Sequence, residues 1–209
     1  MICAWRGGCN KQFSIADPSH CPDYTLDVSV KDYPGKKGVK VLIEGSPGTG
    51  KTTLVERVIT KLCKEMRLGG FFTREIREKG SRKGFKIITV DKTEGVLAHE
   101  DLPGHHKVGR YVVNLEDLER VGVASIKRAL AEDDVIIIDE IGKMELMSGQ
   151  FREVVEMALD SEKPLVATIA SDGPRFLDEI KAIPGVHLIT LNQANRDGLL
   201  DEVVKLLHG

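Results

Sequence analysis

The chain has few of the features that would place it in a membrane, in a secreted disulfide scaffold or on nucleic acid. Its 209 residues include 30 basic and 32 acidic side chains, so the formal charge is −2 and no overall positive field attracts a polyanion. No apolar run reaches the roughly 20 residues of a membrane-spanning helix, and the N-terminus has no basic segment followed by an apolar one. We therefore expect a soluble, cytoplasmic protein with no membrane partner.

Cysteine is also scarce, and three of the four cysteines lie within the first 21 residues. Cys3, Cys9 and Cys21 lie near His20, but their spacing is irregular and no C-x-x-C pair occurs, so we assign no metal site and leave the possibility open. Residues 1–37 lack hydrophobic periodicity, and we interpret them as an N-terminal extension that is either flexible or added for expression. Residues 38–209 then form one domain.

A glycine-rich segment after an apolar strand pattern at 39–44 has the spacing G-x-x-x-x-G-K-T. Such a loop directs backbone N–H groups and the positive end of the following helix at phosphate oxygens. We expect Lys51 to contact the β- and γ-phosphates, Thr52 to bind Mg²⁺ and Thr53 to hold the α-phosphate. The alternative is a glycine-rich turn without ligand, which the flanking strand and helix disfavour. The phosphate loop comprises Gly45, Ser46, Pro47, Gly48, Thr49, Gly50, Lys51, Thr52 and Thr53.

Short aliphatic runs alternate with helical patterns from residue 39 onward, which predicts an α/β fold with a mainly parallel sheet covered on both faces. The helix after the phosphate loop is predicted to end near Gly69-Gly70. Strand patterns at 71–76, 85–90, 95–98 and 111–114 interrupt the alternation and predict an antiparallel β-insert. A helix over 115–131 leads into a central strand at 135–138, and three more βα-type pieces follow.

That central strand ends in two carboxylates, Asp139 and Glu140. We expect Asp139 to bind Mg²⁺ through water while Glu140 acts as the catalytic base on an attacking water. The alternative is a core strand with solvated acids at its exit. Residues 139–142 also fit the D-x-x-G of regulatory GTPases, but residues 191–197 contain no N-K-x-D guanine reader, which argues against that class.

Three further residues have open roles. Lys143 and Glu145 reach the site if their segment bends back over the nucleotide, and a solvated ion pair is an equal alternative. Thr168 lies near the end of a predicted strand at 165–169, where its hydroxyl could sense the γ-phosphate or hold the water. Because threonine is a good strand former, we slightly favour that simpler role.

One stretch concentrates positive charge. It has three interpretations: a solvated hairpin face, an arginine-bearing loop that clamps the triphosphate, or a nucleic-acid contact. Only Phe85 supplies an interleaved aromatic ring, which weakens a single-strand stacking surface. Two of its arginines, three residues apart, would face opposite sides of an extended strand. The basic residues are Arg74, Arg77, Lys79, Arg82, Lys83 and Lys86.

The chain resembles the cancer-related nucleoside-triphosphatase family, small P-loop NTPases of thermophiles and animals, over residues 39–207. The resemblance rests on the phosphate loop, on G-F-F-T-R-E-I-R at 70–77 with G-F-K at 84–86, on D-E-I-G-K-M-E-L at 139–146 and on N-R-D at 195–197. It implies slow, Mg²⁺-dependent hydrolysis of ATP, GTP, CTP and UTP with little base discrimination. It also implies a RecA-like sheet in which the Thr168 strand lies between the phosphate-loop strand and the Asp139 strand.

The resemblance further implies nucleotide contacts at two segments, 45–52 and 135–142. It allows Asn192 or Arg196 to border the base. The second segment comprises Val135, Ile136, Ile137, Ile138, Asp139, Glu140, Ile141 and Gly142.

Three functions follow from the residues. The first is a nucleoside-triphosphatase in which Lys51 and Glu140 are catalytic. The second is a nucleotide or polynucleotide kinase, because kinases share the phosphate loop. The third is a nucleotide-dependent binding or regulatory module, in which slow hydrolysis times the release of a partner. The sequence does not define the oligomeric state or the origin of any arginine finger.

Overall fold

The structure, a computed structural model, describes residues 38–208. The proposed extension and its cysteines lie outside these residues, so the division of the chain at residue 37 stays a prediction. Among residues 38–208, no helix is long and apolar enough to cross a bilayer.

The described residues form a nine-stranded sheet in the order β5-β6-β4-β3-β2-β7-β8-β1-β9. The neighbours in β2-β7-β8-β1-β9 pair in parallel, and the remaining neighbours pair in antiparallel fashion. Strand β8 therefore lies between β1 and β7, as the resemblance implied, and the predicted antiparallel insert is confirmed. The strands are β1 (Lys40–Glu44), β2 (Leu68–Glu78), β3 (Ser81–Thr89), β4 (Glu94–His99), β5 (Lys107–Val108), β6 (Tyr111–Val113), β7 (Val135–Ile141), β8 (Leu165–Ile169) and β9 (Val186–Thr190).

Helices cover both faces of the sheet because the parallel strands are apolar on both sides. Alternate residues of β7 show this: Ile136 and Ile138 pack into one core with α3, α4 and α5, while Val135 and Ile137 pack into the other with α1 and α6. All four are at most 1 % exposed. The helices are α1 (Lys51–Leu62), α2 (Leu115–Asp117), α3 (Ala124–Glu132), α4 (Gly149–Asp160), α5 (Arg175–Lys181) and α6 (Leu199–His208).

The predicted helix over 115–131 is present but irregular. Its first turn, α2, continues through a π-helical segment, Leu118–Val123, before the regular α3. Asn114 caps the start, because its side chain accepts a hydrogen bond from the Asp117 N–H at 3.2 Å. The helix returns the chain to β7, as the alternation of patterns predicted.

The predicted end of α1 near Gly69-Gly70 is wrong, because α1 ends at Leu62 and both glycines belong to β2. A Cβ on Gly70 would lie 2.0 Å from the Ile137 carbonyl oxygen, and one on Gly69 would lie 2.0 Å from Asp133 Oδ2. Gly70 also has a φ of 102°, in the left-handed region. These glycines allow β2 to pack closely against β7 and α3, and do not end a helix.

Candidate active site

The phosphate loop connects β1 to α1 and leaves the start of that helix open. Gly48 and Gly50 have φ values of 81° and 98°, which side chains other than glycine rarely adopt. No side chain among residues 38–208 caps α1, and its first turn contains no acidic residue. The N–H groups and positive dipole end of α1 are therefore directed at the loop, where a phosphate would bind.

Gly45 has a packing role in addition to the one expected from the spacing. A Cβ at this position would lie 2.7 Å from the Leu191 carbonyl oxygen and 3.0 Å from Thr49 Oγ1. Thr49 closes the loop, because its hydroxyl donates to the Ser46 carbonyl at 2.9 Å. The glycine thus lets the loop pack against the segment that follows β9.

Lys51 links the phosphate loop to the end of β7. Its Nζ donates to the Gly45 carbonyl at 2.8 Å and lies 3.5 Å from Glu140 Oε1. The lysine side chain is 12 % exposed, so its charge is poorly solvated. An anionic phosphate at the loop would compete with Glu140 for this ammonium group.

Asp139 is buried and held by three threonines. Thr168 Oγ1 donates to Asp139 Oδ1 at 2.6 Å, and the Thr73 N–H donates to Oδ2 at 3.3 Å. The Thr52 side chain also hydrogen-bonds this carboxyl. Burial raises the pKa of Asp139, and the hydrogen bonds from Thr168, Thr52 and Thr73 oppose that rise. Our preference for Thr168 as a simple strand former is thereby corrected, since its hydroxyl orients Asp139.

Glu140 lies next to Lys51 at the edge of a cavity, and its side chain is 35 % exposed. Burial raises the pKa of Glu140, and the neighbouring Asp139 raises it further, while the charge of Lys51 lowers it. A carboxylate with a raised pKa is a better proton acceptor near neutral pH. The geometry therefore permits Glu140 to act as a base beside the phosphate loop.

The oxygens of Thr52 and Asp139 fit a divalent magnesium ion. Both are hard donors, and a hydrogen bond already brings them together. No cluster of three or more His, Cys, Asp or Glu side chains suited to a metal occurs within residues 38–208. Mg²⁺ commonly takes only one or two protein ligands and completes its shell with water and substrate phosphates, so this donor set is consistent with it.

A cavity of about 410 Å³ adjoins Lys51 and Glu140. Lys143 and Glu145 both line it, so the segment after β7 bends back to the site. Lys143 Nζ is ion-paired with Asp172 at 2.6 Å. Glu145 is only 5 % exposed, and burial, reinforced by Glu140 and Asp139, raises its pKa to about 8. We call this space the γ-side cavity; it is lined by Gly45, Ser46, Pro47, Lys51, Phe85, Leu97, Val108, Glu140, Gly142, Lys143, Met144, Glu145, Ala170, Ser171 and Asp172.

Comparison with protein families identifies the chain. A family profile described as NTPase matches residues 40–204, from β1 into α6. The chain belongs to this NTPase family. It is 52 % identical over 169 residues to the nucleoside-triphosphatase THEP1 of Thermotoga petrophila, covering 81 % of this chain and 93 % of that one. THEP1 of Methanocaldococcus jannaschii is 45 % identical over 175 residues, covering 82 % and 99 %.

Two solved structures share the fold of this NTPase. The crystal structure of THEP1 from Aquifex aeolicus has a TM-score of 0.75 and 38 % identity, and the match covers 81 % of this chain and 99 % of that chain. The solution structure of a human cancer-related nucleoside triphosphatase has a TM-score of 0.69 and 32 % identity, covering 80 % and 96 %. The P-loop fold and the family resemblance predicted from the motifs are therefore confirmed.

The other flank of the phosphate loop forms a smaller cavity of about 280 Å³, which includes Gly50, Thr53 and Arg196. Arg196 Cδ lies 3.9 Å from the position of a Cβ on Gly50. Asn192, in contrast, is used within its own loop, because its Oδ1 accepts the N–H groups of Ala194 and Asn195 at 2.8 and 3.2 Å. Of the two residues expected to border a base, the structure places only Arg196 at this cavity.

In the predicted nucleotide-contacting segment 135–142, the residues that line the cavity lie at the end of β7 and after it. Glu140 and Gly142 line the γ-side cavity, whereas Asp139 lies behind them. The side chains before Asp139 are fully packed, so they support the strand and do not reach this cavity. The packed side chains are those of Val135, Ile136, Ile137 and Ile138, and nucleotide contact by this part of the segment stays a prediction.

Five of the six basic residues of the insert are paired with neighbouring acids. Arg74 bonds Glu56 of α1 at 2.6 Å and lies over the Phe72 ring, while Arg77 and Arg82 share Glu75 on the opposite face. Lys83 pairs with Glu100 and Lys86 with Glu94. None of these residues lines the γ-side cavity. The pairing favours the interpretation as a solvated hairpin face over a triphosphate clamp.

Sequence reasoning missed two parts of the site. Thr73 supplies a backbone donor to Asp139, which depends on the parallel pairing of β2 with β7. The apolar wall of the γ-side cavity comes from the insert, through Phe85, Leu97 and Val108. Thr73 and Phe85 lie in the motifs at 70–77 and 84–86, but those motifs did not indicate these contacts, and Val108 lies outside the predicted strands.

Proposed function

We propose that this NTPase hydrolyses nucleoside triphosphates to the diphosphate and phosphate, with Mg²⁺, broad base acceptance and slow turnover. The observation that carries the proposal is the 3.5 Å approach of Lys51 and Glu140 at the phosphate loop, with Asp139 buried behind them. A cation for the γ-phosphate and a base for water thus lie side by side. The names of the THEP1 relatives support the same activity.

In the proposed reaction the phosphates lie on the N–H groups of the loop and of α1. Lys51 leaves Glu140 for the γ-phosphate, and the freed carboxylate accepts a proton from the attacking water. The water oxygen bonds to the γ-phosphorus as the bond to the bridging oxygen breaks, and the diphosphate leaves. Thr52 and Asp139 would hold Mg²⁺, which neutralises charge on the phosphates.

Broad base acceptance is supported by the flank around Arg196. This side chain is 57 % exposed and lies 3.9 Å from Asp197, which is 92 % exposed, so neither is buried in a base-reading position. The Asn192 amide oxygen accepts hydrogen bonds within its own loop. A long, exposed side chain can cover any base, so ATP, GTP, CTP and UTP are the proposed substrates.

Slow turnover is supported by the charges around the γ-side cavity. No arginine is among the described residues that line it, and its second cation, Lys143, is paired with Asp172. An arginine at the γ-phosphate contributes about 10³–10⁵ in rate in related phosphoryl-transfer enzymes. Without one, the site relies on Lys51, the loop N–H groups and the metal.

The test is phosphate release from the four triphosphates with Mg²⁺ or with a chelator. We expect Glu140→Gln to keep ATP binding and to lower turnover by about two to four decades, because only the base is lost. Lys51→Ala should weaken both binding and rate, since its charge acts in the ground state and in the transition state. Lys61→Ala, at an exposed lysine of the same helix, is the matched control. Unchanged turnover in Glu140→Gln would remove Glu140 from its proposed role.

A further inference from the structure

The γ-side cavity is larger than the attack of a single water requires. Its volume of about 410 Å³ lies within the range of small-molecule sites, about 300–1,000 Å³. It lies on the Ser46 and Lys51 side of the phosphate loop, whereas Thr53 and Arg196 line the opposite flank. A triphosphate with its base near Arg196 would therefore direct its γ-phosphate towards this cavity.

One wall of the cavity is apolar. Phe85, Leu97 and Val108 come from the insert, and Met144 and Ala170 come from segments after β7 and β8. The Phe85 ring is held in place by an edge contact with Tyr111, with ring centroids 5.3 Å apart. Such a wall favours a ligand with a ring or another apolar body.

Two glutamates also line the cavity. Glu140 is at the phosphate end, and Glu145, whose carboxyl is buried, is only 5 % exposed. Backbone N–H groups of Gly142 and of Glu145 itself bond that carboxyl, but no side chain among residues 38–208 does so. A buried carboxyl with spare hydrogen-bonding capacity is suited to a ligand hydroxyl.

The charges of the cavity disfavour an anionic ligand. Lys51 is committed to the phosphate loop and Glu140, and Lys143 is paired with Asp172. Among the described lining residues this leaves no cation for a second phosphate or carboxylate. A second anion beside Glu140 would meet like charge in a partly desolvated space.

We propose that the γ-side cavity binds an uncharged, hydroxyl-bearing small molecule with an apolar ring, whose hydroxyl accepts the γ-phosphoryl group in place of water. The proposal rests on the triphosphate site described above. The acceptor oxygen forms a bond to the γ-phosphorus while the bond from phosphorus to the β–γ bridging oxygen breaks. The hydroxyl proton passes to the Glu140 carboxylate, and the diphosphate leaves with the bonding electron pair. Hydrolysis is then the same step with water as the acceptor.

The experiment uses the full chain, Mg²⁺ and γ-labelled ATP with a panel of alcohols. Adenosine, guanosine, cytidine, uridine and phenyl β-glucoside combine hydroxyls with a ring, and glycerol is the ring-free comparison. The readout is the partition ratio, defined as labelled phosphoalcohol over labelled free phosphate. We expect at least one ring-bearing alcohol to be phosphorylated and to lower phosphate release, and glycerol not to be phosphorylated.

A cavity-filling variant tests where the acceptor binds. Val108→Trp places a bulky ring in the γ-side cavity, and we expect it to lower the partition ratio by about tenfold or more. Met157→Trp, at a side chain 55 % exposed on α4, is the matched control and should leave the ratio unchanged. Because the ratio compares two products of one active site, a general loss of activity in Val108→Trp does not alter it.

Two results would overturn the inference: no ring-bearing alcohol becomes labelled, or the partition ratio is the same in Val108→Trp and in Met157→Trp. Retained ATP hydrolysis in either case leaves the proposed triphosphatase standing. Absence of phosphate release and of transfer under every condition would instead refute the triphosphate chemistry itself.

Discussion

Burial of Glu145 should make the stability of this NTPase fall as pH rises through the neutral range. The folded chain holds this carboxyl with a pKa of about 8, raised by burial from an ordinary 4.5. Between those values the folded state binds a proton that the unfolded state has released. The stabilising contribution is therefore complete below about pH 4.5 and is lost as pH rises to about 8.

The magnitude follows from proton linkage. Each pH unit between the two pKa values changes the free energy of unfolding by about 1.4 kcal/mol for one group. From pH 5 to pH 8, Glu145 should thus lower stability by roughly 3–4 kcal/mol. Glu145→Gln removes the titration and retains an uncharged side chain of similar size, so the variant should lose less stability over this range.

Urea unfolding at pH 5, 6, 7 and 8 measures this difference directly. A pH-independent effect of the glutamine on stability cancels, because the compared quantity is the change of unfolding free energy with pH. Glu156→Gln, at an exposed carboxyl of α4, provides the matched control. Asp139 and Glu140 also have raised pKa values, and both carboxyls are present in the wild type and in both variants. Parallel pH curves for the wild type and Glu145→Gln would show that Glu145 does not titrate as a buried acid.

Two further substitutions test the contacts around the site. Thr168→Val removes the 2.6 Å hydrogen bond to Asp139, worth about 1.5–3 kcal/mol for a charged acceptor, so kcat/KM should fall roughly 10- to 100-fold. Thr168→Ser keeps the hydroxyl and should stay near the wild type; equal losses in steady-state assays of the two variants would exclude the hydrogen bond as the cause. Gly70→Ala places a Cβ 2.0 Å from the Ile137 carbonyl, so we expect a loss of about 3 kcal/mol or more in urea unfolding. Gly80→Ala shares the positive φ but meets no atom within 4 Å, and an equal loss there would mean that backbone strain alone is responsible.

Local sequence patterns predicted the elements whose structure depends mainly on neighbouring residues. The strand at 165–169 was predicted with the bounds that β8 has, because five apolar or β-branched residues follow a proline. The strand at 135–138 and the phosphate loop were equally clear. Gly69 and Gly70 misled the prediction because the same residue type ends helices and permits close strand packing.

The motifs did not predict contacts between residues that are distant along the chain. Thr168 was correctly placed near a strand end, but its bond to Asp139 depends on β8 lying directly beside β7. For Glu145 the sequence left a place at the site and a solvated ion pair as equal alternatives, and its burial depends on the chain folding back over the cavity. The hydrogen bonds that the Asn192 amide oxygen accepts within its own loop also depend on the fold of that loop, which the motif does not specify.

The sheet order explains why the phosphate loop and the γ-side cavity are adjacent. Strands β7, β8 and β1 are parallel neighbours, so Glu140, Ala170 and the phosphate loop, which lie at or after their carboxyl ends, share one edge of the sheet. Ligands of open α/β sheets bind at this edge. The insert continues the sheet beyond β2 and contributes Phe85, Leu97 and Val108 above it. The insert is therefore the element whose alteration should separate phosphoryl transfer from hydrolysis.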